Sequence, residues 1–126
     1  MDKVVDLVAA AAALDDHWSP RVVARTNGQL VKVVRIKGEF VWHDHAAEDE
    51  LFLVLAGELT IHFEDRPTVR LGPGQMYVVP RGVRHNPVAA EECLLVLIEP
   101  ESTAHTGDLI TERTRSLAEQ LSVALI

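Results

Sequence analysis

From Arg21 to Ile98, short runs of β-branched and apolar residues are broken repeatedly by turn formers, and that rhythm leaves few folds open. Arg21 to Arg25 and Leu30 to Ile36 flank Thr26-Asn27-Gly28-Gln29. The Asn-Gly centre is the strongest short-range hairpin signal available, because both central residues of the favoured turn need positive φ. Gly38 precedes a further strand-like run from Phe40 to His45, and Leu51 to Leu55 is continuously apolar up to Ala56-Gly57. Leu59, Ile61 and Phe63 then alternate with Glu58, Thr60 and His62. Turns at Glu64-Asp65-Arg66-Pro67, Gly72-Pro73-Gly74 and Pro80-Arg81-Gly82 separate Val69 to Leu71, Met76 to Val79 and the segment that reaches His85, and Leu94 to Ile98 is the last clear strand. Eight or more short strands so spaced predict an all-β sandwich or barrel, not βαβ units. Residues 2–14 place Val5, Val8, Ala9 and Ala12 on one helical face, ended by Trp18-Ser19-Pro20, and Leu109 to Ile126 is expected to be a helical tail.

The 126 residues are expected to form one domain, 1–126, with the barrel core over about residues 20–100. With 48% apolar residues the chain can fill a core. A net charge of −7 excludes nucleic acid as a partner, since phosphates reward clustered Lys and Arg. No apolar run approaches the roughly 20 residues of a membrane span. The alanine-rich start faintly resembles a signal peptide, but Asp2 and Asp6 interrupt it and Lys3 is its only base. The one cysteine, Cys93, lies in an apolar run and is expected to be a buried hydrophobe and no nucleophile, which together with the other signals predicts a cytoplasmic protein.

Two stretches carry the chemistry. In the first, His43-Asp44-His45 is followed by Glu50; in the second, Gly74 leads through Pro80-Arg81-Gly82 to His85. Strand side chains alternate faces, so His43 and His45 point together, with Phe40, Trp42 and Asp44 opposite, and Glu50, Phe52 and Val54 share one face of the next strand. Three imidazoles and a carboxylate suit a mid-series divalent cation: Mn, Fe, Ni, Cu or Zn. Burying them without one would leave several kcal/mol, on the order of 2–7 per group, of uncompensated polar burial. His17, His62 and His105 lack ligand spacing and are read as ordinary core or surface histidines. Arg81 and Arg84 are read as turn charges balancing an acidic shoulder at Glu48 and Asp49, with anion binding at the barrel mouth as the rival reading. Phe40 and Trp42 are read as outer-face packing.

These motifs resemble the two signatures of the cupin superfamily. Gly38, His43, His45, Glu50 and Gly57 match the first, with four residues between Gly38 and His43 where five is usual. Gly74, Pro80, Gly82 and His85 match the second, whose closing Asn falls at Ala89 here. The resemblance implies a jelly-roll barrel, or double-stranded β-helix, with His43, His45, Glu50 and His85 as metal ligands, and favours Glu50 over its neighbour Glu48. It implies a small oxygenated substrate and isomerase, lyase or dioxygenase chemistry, with Glu50 able to act as acid or base. The alternative is a metal- or ligand-binding module without turnover. Small cupins pair through outer faces, so Phe40, Trp42, Leu51, Leu53 and Leu55 are expected to support a homodimer.

Overall fold

A computed structural model describes residues 3–107 and 109–122. In chain order it contains helix α1 (Leu7–Ala12), strands β1 (Arg21–Thr26), β2 (Gln29–Glu39), β3 (Glu50–Ala56), β4 (Leu59–Phe63), β5 (Val69–Leu71), β6 (Met76–Val79) and β7 (His85–Pro100), and helix α2 (Leu117–Ser122). The Asn27-Gly28 turn forms as expected, with φ of 49° and 76°, and joins β1 to β2 antiparallel. Every strand pairing is antiparallel. The main path runs β1-β2-β7-β3-β6, and β4 joins β7 to β5.

The long β7 organises this arrangement. Its first residues pair with β4, from His85↔Phe63 to Val88↔Thr60. Its last residues lie between β2 and β3, with Val96 opposite both Val33 and Leu53. Through β7 the seven strands join in one sheet, giving a jelly-roll that is not a fully closed barrel. Ala89, where the motif's Asn would fall, stands opposite Gly38 in the β2–β7 ladder and is buried.

Alternation assigns the two faces. Phe52 and Val54 of β3, Val34 and Ile36 of β2, and Leu95 and Leu97 of β7 point into one core with Ile61, Phe63 and Leu71. Val33, Val96, Leu53 and Leu55 point the other way, where Ala11 and Leu14 of the N-terminal segment cover them. Both faces being covered explains why β3 and β7 read as continuous apolar runs. It also reassigns much of the outer apolar surface: Leu53 and Leu55 pack against that chain segment. Cys93 is fully buried, and burial pushes its thiol up to about 12.

Three expectations need correction. Phe40 to His45 is not a regular strand; its ladder contact is an isolated bridge, His43↔His85. The strand phase slips there, and Phe40 is buried in the inner core, stacked on Trp18 at 4.7 Å, instead of packing outside. The terminal helices are shorter than expected, because Asp6 caps α1 through Ala9 N–H and residues 109–116 are irregular, with a turn at Glu112 and Arg113. Val123 and Leu125, expected in the last helix, lie outside the described residues.

Gly57, the motif glycine, has φ of 85° and lies so close to the β7 backbone that an added Cβ would stand 2.4 Å from the Glu92 carbonyl oxygen. Gly57→Ala is therefore expected to destabilise by more than about 3 kcal/mol, against about 1–2 kcal/mol for Gly28→Ala. At Gly28 the new methyl meets nothing within 4 Å. Urea unfolding of the two variants checks the ranking.

Candidate metal centre

Three elements deliver the donors. His43 and His45 come from the segment before β3, Glu50 opens β3 and His85 opens β7. His43 and His85 exchange backbone hydrogen bonds, N–H to carbonyl, at 3.0 and 2.9 Å, which sets their rings side by side with centroids 4.4 Å apart. The Pro80-Arg81-Gly82 turn ties the other histidine in place, as Gly82 N–H donates to the His45 carbonyl at 2.8 Å. All four side chains are buried, and one candidate ligand atom from each lies within 4.8 Å of all the others.

The hydrogen bonding leaves the right atoms free. Nδ1–H of His43 donates to the Val41 carbonyl, and Nδ1–H of His85 to the Val83 carbonyl, each at 2.9 Å. That fixes both tautomers and turns each Nε2 lone pair toward the cluster. Nε2 of His45 and of His85 stand 3.5 and 3.4 Å from Glu50 Oε1, too long for good hydrogen bonds. These three atoms are buried without a hydrogen-bond partner in the protein. Buried polar atoms are normally satisfied, so a cluster of unsatisfied donors aimed at one point fits a bound cation.

The electrostatics agree. Burial, with the neighbouring His85 adding to it, lowers His43 to about 4. Burial would also lower His45, but the close Glu50 carboxylate, with the charges of Glu48 and Asp44 adding to it, outweighs burial and raises the pKa. Burial alone would raise Glu50; the imidazoles of His45 and His85 hold it well below the carboxylate range. The cluster thus holds a carboxylate and at least one neutral imidazole, as a metal requires.

Behind Glu50 lies a pair absent from the sequence reading. Lys32 Nζ and Glu99 Oε1 are 2.9 Å apart, with side-chain exposures of 1% and 3%. Burial and the charge of Glu50 raise the Glu99 carboxyl well above its usual range, with Lys32 opposing. Their inward phase was available: Lys32 alternates with Val34 and Ile36, and Glu99 with Leu95 and Leu97. His105 was also missed, since it follows the last strand and carries no spacing signal. It lines a cavity of about 30 Å³ together with His43, Glu50, Phe40, Phe52 and Trp18.

The remaining assignments divide. His17 pairs with Glu92 at 2.7 Å and His62 with Thr68 at 3.1 Å, both on the exposed surface. Arg81 balances the acidic shoulder through Asp49 at 3.3 Å, whereas Arg84 pairs instead with Glu64 at 2.5 Å. Glu48 accepts from Ser102 at 3.0 Å and stays outside the cluster. Trp42 is half-buried and does not line the cavity.

Comparison with known proteins agrees with this fold. The chain is 34% identical over 85 residues to the uncharacterized protein YdbB of Bacillus subtilis (strain 168), covering 68% of this chain and 75% of that protein. A cupin-2 domain protein of Shewanella frigidimarina has 46% identity and a TM-score of 0.74, over 78% of this chain and 95% of that one. Protein NMB1881 of Neisseria meningitidis has 30% identity and a TM-score of 0.72, over 79% and 100%.

Two outcomes are expected. Metal must displace a proton from His45, whose pKa is raised above the ordinary imidazole value by the neighbouring Glu50, so metal affinity is expected to fall on acidification from about pH 7.5 to about 5.5. Competition titration with a chromogenic chelator measures it. Lys32→Met leaves the buried Glu99 carboxyl without its partner and is expected to cost about 1–3 kcal/mol, most of it recovered in Lys32→Met/Glu99→Leu. Denaturant unfolding of the single and double variants supplies that cycle. The family model for the cupin domain matches residues 31–99, and the chain belongs to the cupin family.

Proposed function

We propose that this cupin is a metal-dependent enzyme in which His43, His45, Glu50 and His85 hold one divalent transition metal, Mn, Fe, Ni, Cu or Zn. The observation that carries the reading is the set of buried, unpartnered atoms: His45 Nε2, His85 Nε2 and Glu50 Oε1. A metal held by three imidazoles and one carboxylate supplies Lewis acidity to a coordinated oxygen and, if redox-active, access to dioxygen. The substrate class is a small hydroxy-carbonyl, sugar-derived or phenolic compound, and the reaction an isomerisation, elimination or oxygen insertion.

The chain's own residues have definite parts in this account. The Val41 and Val83 carbonyls hold the rings of His43 and His85 in one orientation. Trp18, Phe40 and Phe52 wall the cavity and keep water from the substrate side. In this proposal Glu50, with Glu99 and Lys32 behind it, is the residue that would exchange a proton through its carboxylate, by leaving the metal.

A second reading, a binding module that turns nothing over, draws on the cavity itself. At about 30 Å³ it admits only a water or two as it stands. The enzyme reading therefore requires the residues over its mouth to move when substrate enters. We further propose a cytoplasmic homodimer. The exposed Met76 and Val78 of β6, at the end of the sheet path, support pairing, and the unpaired buried Cys93 fits a reducing compartment.

Protein purified without chelator is expected to carry close to one metal per chain, and His45→Ala little. Equal metal in both would sink the ligand assignment. Turnover on hydroxy-carbonyl, uronate or catechol substrates is expected to fall by more than about 100-fold in Glu50→Ala. A ligand bound tightly but never consumed, whichever metal is supplied, would favour the binding module.

A further inference from the structure

His105 lines two spaces at once. On one side is the 30 Å³ cavity that it shares with His43 and Glu50. On the other is an open groove of about 510 Å³, lined by residues of the C-terminal segment including Leu109, Ile110 and Arg115. Among the described residues, no other borders both. Its ring leans on Phe40 with centroids 5.2 Å apart, and Phe40 in turn meets His43 edge-on at 5.5 Å. The imidazole therefore forms the partition between the buried cluster and the outside.

Its polarity is set by the backbone. His105 Nδ1 accepts the Arg115 N–H at 2.9 Å, so in the neutral ring the proton sits on Nε2. Nε2–H is left as a donor on the ring edge turned away from Arg115. Burial keeps this ring neutral, lowering its pKa to about 3.

The segment that carries His105 is fastened to the ligand loop. Gly107, with φ of 63°, lies so close to Asp44 that an added Cβ would stand 2.0 Å from its carbonyl oxygen. Ser102 donates to Glu48, and Arg113 lies over the Trp18 ring at 5.8 Å.

We propose that His105 is the ligand-recognising gate of the metal site, admitting small anions from the outer groove and donating its Nε2–H to their acceptor atom once they reach the inner cavity. The matching ligands are enolates, carboxylates and phenolates, whose anionic oxygen needs a donor in an otherwise apolar chamber. The inference rests on the metal reading proposed above, but it concerns a residue outside the four ligands.

Azide serves as the probe: a three-atom anion with a terminal acceptor, followed by visible absorption in the Co(II)-loaded full chain. His105→Phe keeps the packing on Phe40 and removes the donor; it is expected to weaken azide at least tenfold while Co(II) affinity stays within twofold. His105→Gln, whose amide can reach the Nε2 position, is expected to restore most of that loss. Gly107→Ala, which shifts the segment without touching the ring, is expected to weaken azide as well. Azide affinity in His105→Phe equal to wild type, with Co(II) still bound, would overturn the proposal and leave the metal site standing. Wild-type protein that binds Co(II) but no azide would overturn it together with the proposal that the metal takes a coordinated oxygen. Wild-type protein that takes up no Co(II) would defeat the metal reading first and this one with it.

Discussion

Crowding three imidazoles and a carboxylate into the interior, with their free atoms facing one another, is the constraint to which the rest of this structure answers. Each group is desolvated, and the nearest approaches between them are poor hydrogen bonds of 3.4–3.5 Å. Such a cluster is stable only when something compensates it. Part of the compensation is visible: backbone carbonyls take the far nitrogens of His43 and His85, and Glu50 raises the basicity of His45. Around the cluster, protein groups leave unsatisfied His45 Nε2, His85 Nε2 and Glu50 Oε1, which a divalent cation would satisfy together, and also the far nitrogen of His45, Nδ1.

The surrounding fold can be understood as the frame that brings those groups to one place. The switch of β7 from pairing β4 to lying between β2 and β3 puts His85, its first residue, beside the segment that carries His43. Gly57, closing β3, lets the chain pass against the β7 backbone where any side chain would collide. The buried Lys32–Glu99 pair stands behind Glu50 on the inner face of β2 and β7. A buried ion pair of this kind stabilises little by itself, but breaking it is costly, so it holds Glu50 in a defined electrostatic setting.

Much of this was legible before any coordinates. Alternation and turn chemistry locate the strands, because period-2 burial and the Asn-Gly turn act over a few residues. The same rule failed at Phe40 for a physical reason. It presumes an unbroken strand, but the β2–β7 ladder is irregular between Ile36 and Gly38 and β2 ends at Glu39, beyond which this segment pairs through the isolated bridge at His43, so Phe40 and His43 both turn inward. Lys32 and Glu99 have the right phase, but nothing in composition reveals that two distant charges will meet. His105 had no local signal. Its place depends on how the C-terminal segment folds back over the ligand loop, through Gly107 on Asp44 and Arg113 on Trp18. Tertiary contact of that kind has no periodicity to read.

The central claim is that the four donors form one metal centre, and anomalous diffraction from crystals of Mn- or Zn-loaded protein addresses it directly. The account predicts a single strong peak about 2.0–2.2 Å from the Nε2 atoms of His43, His45 and His85 and from a Glu50 carboxylate oxygen. A loaded crystal with no peak at that point, or with the metal held by other residues, would contradict it.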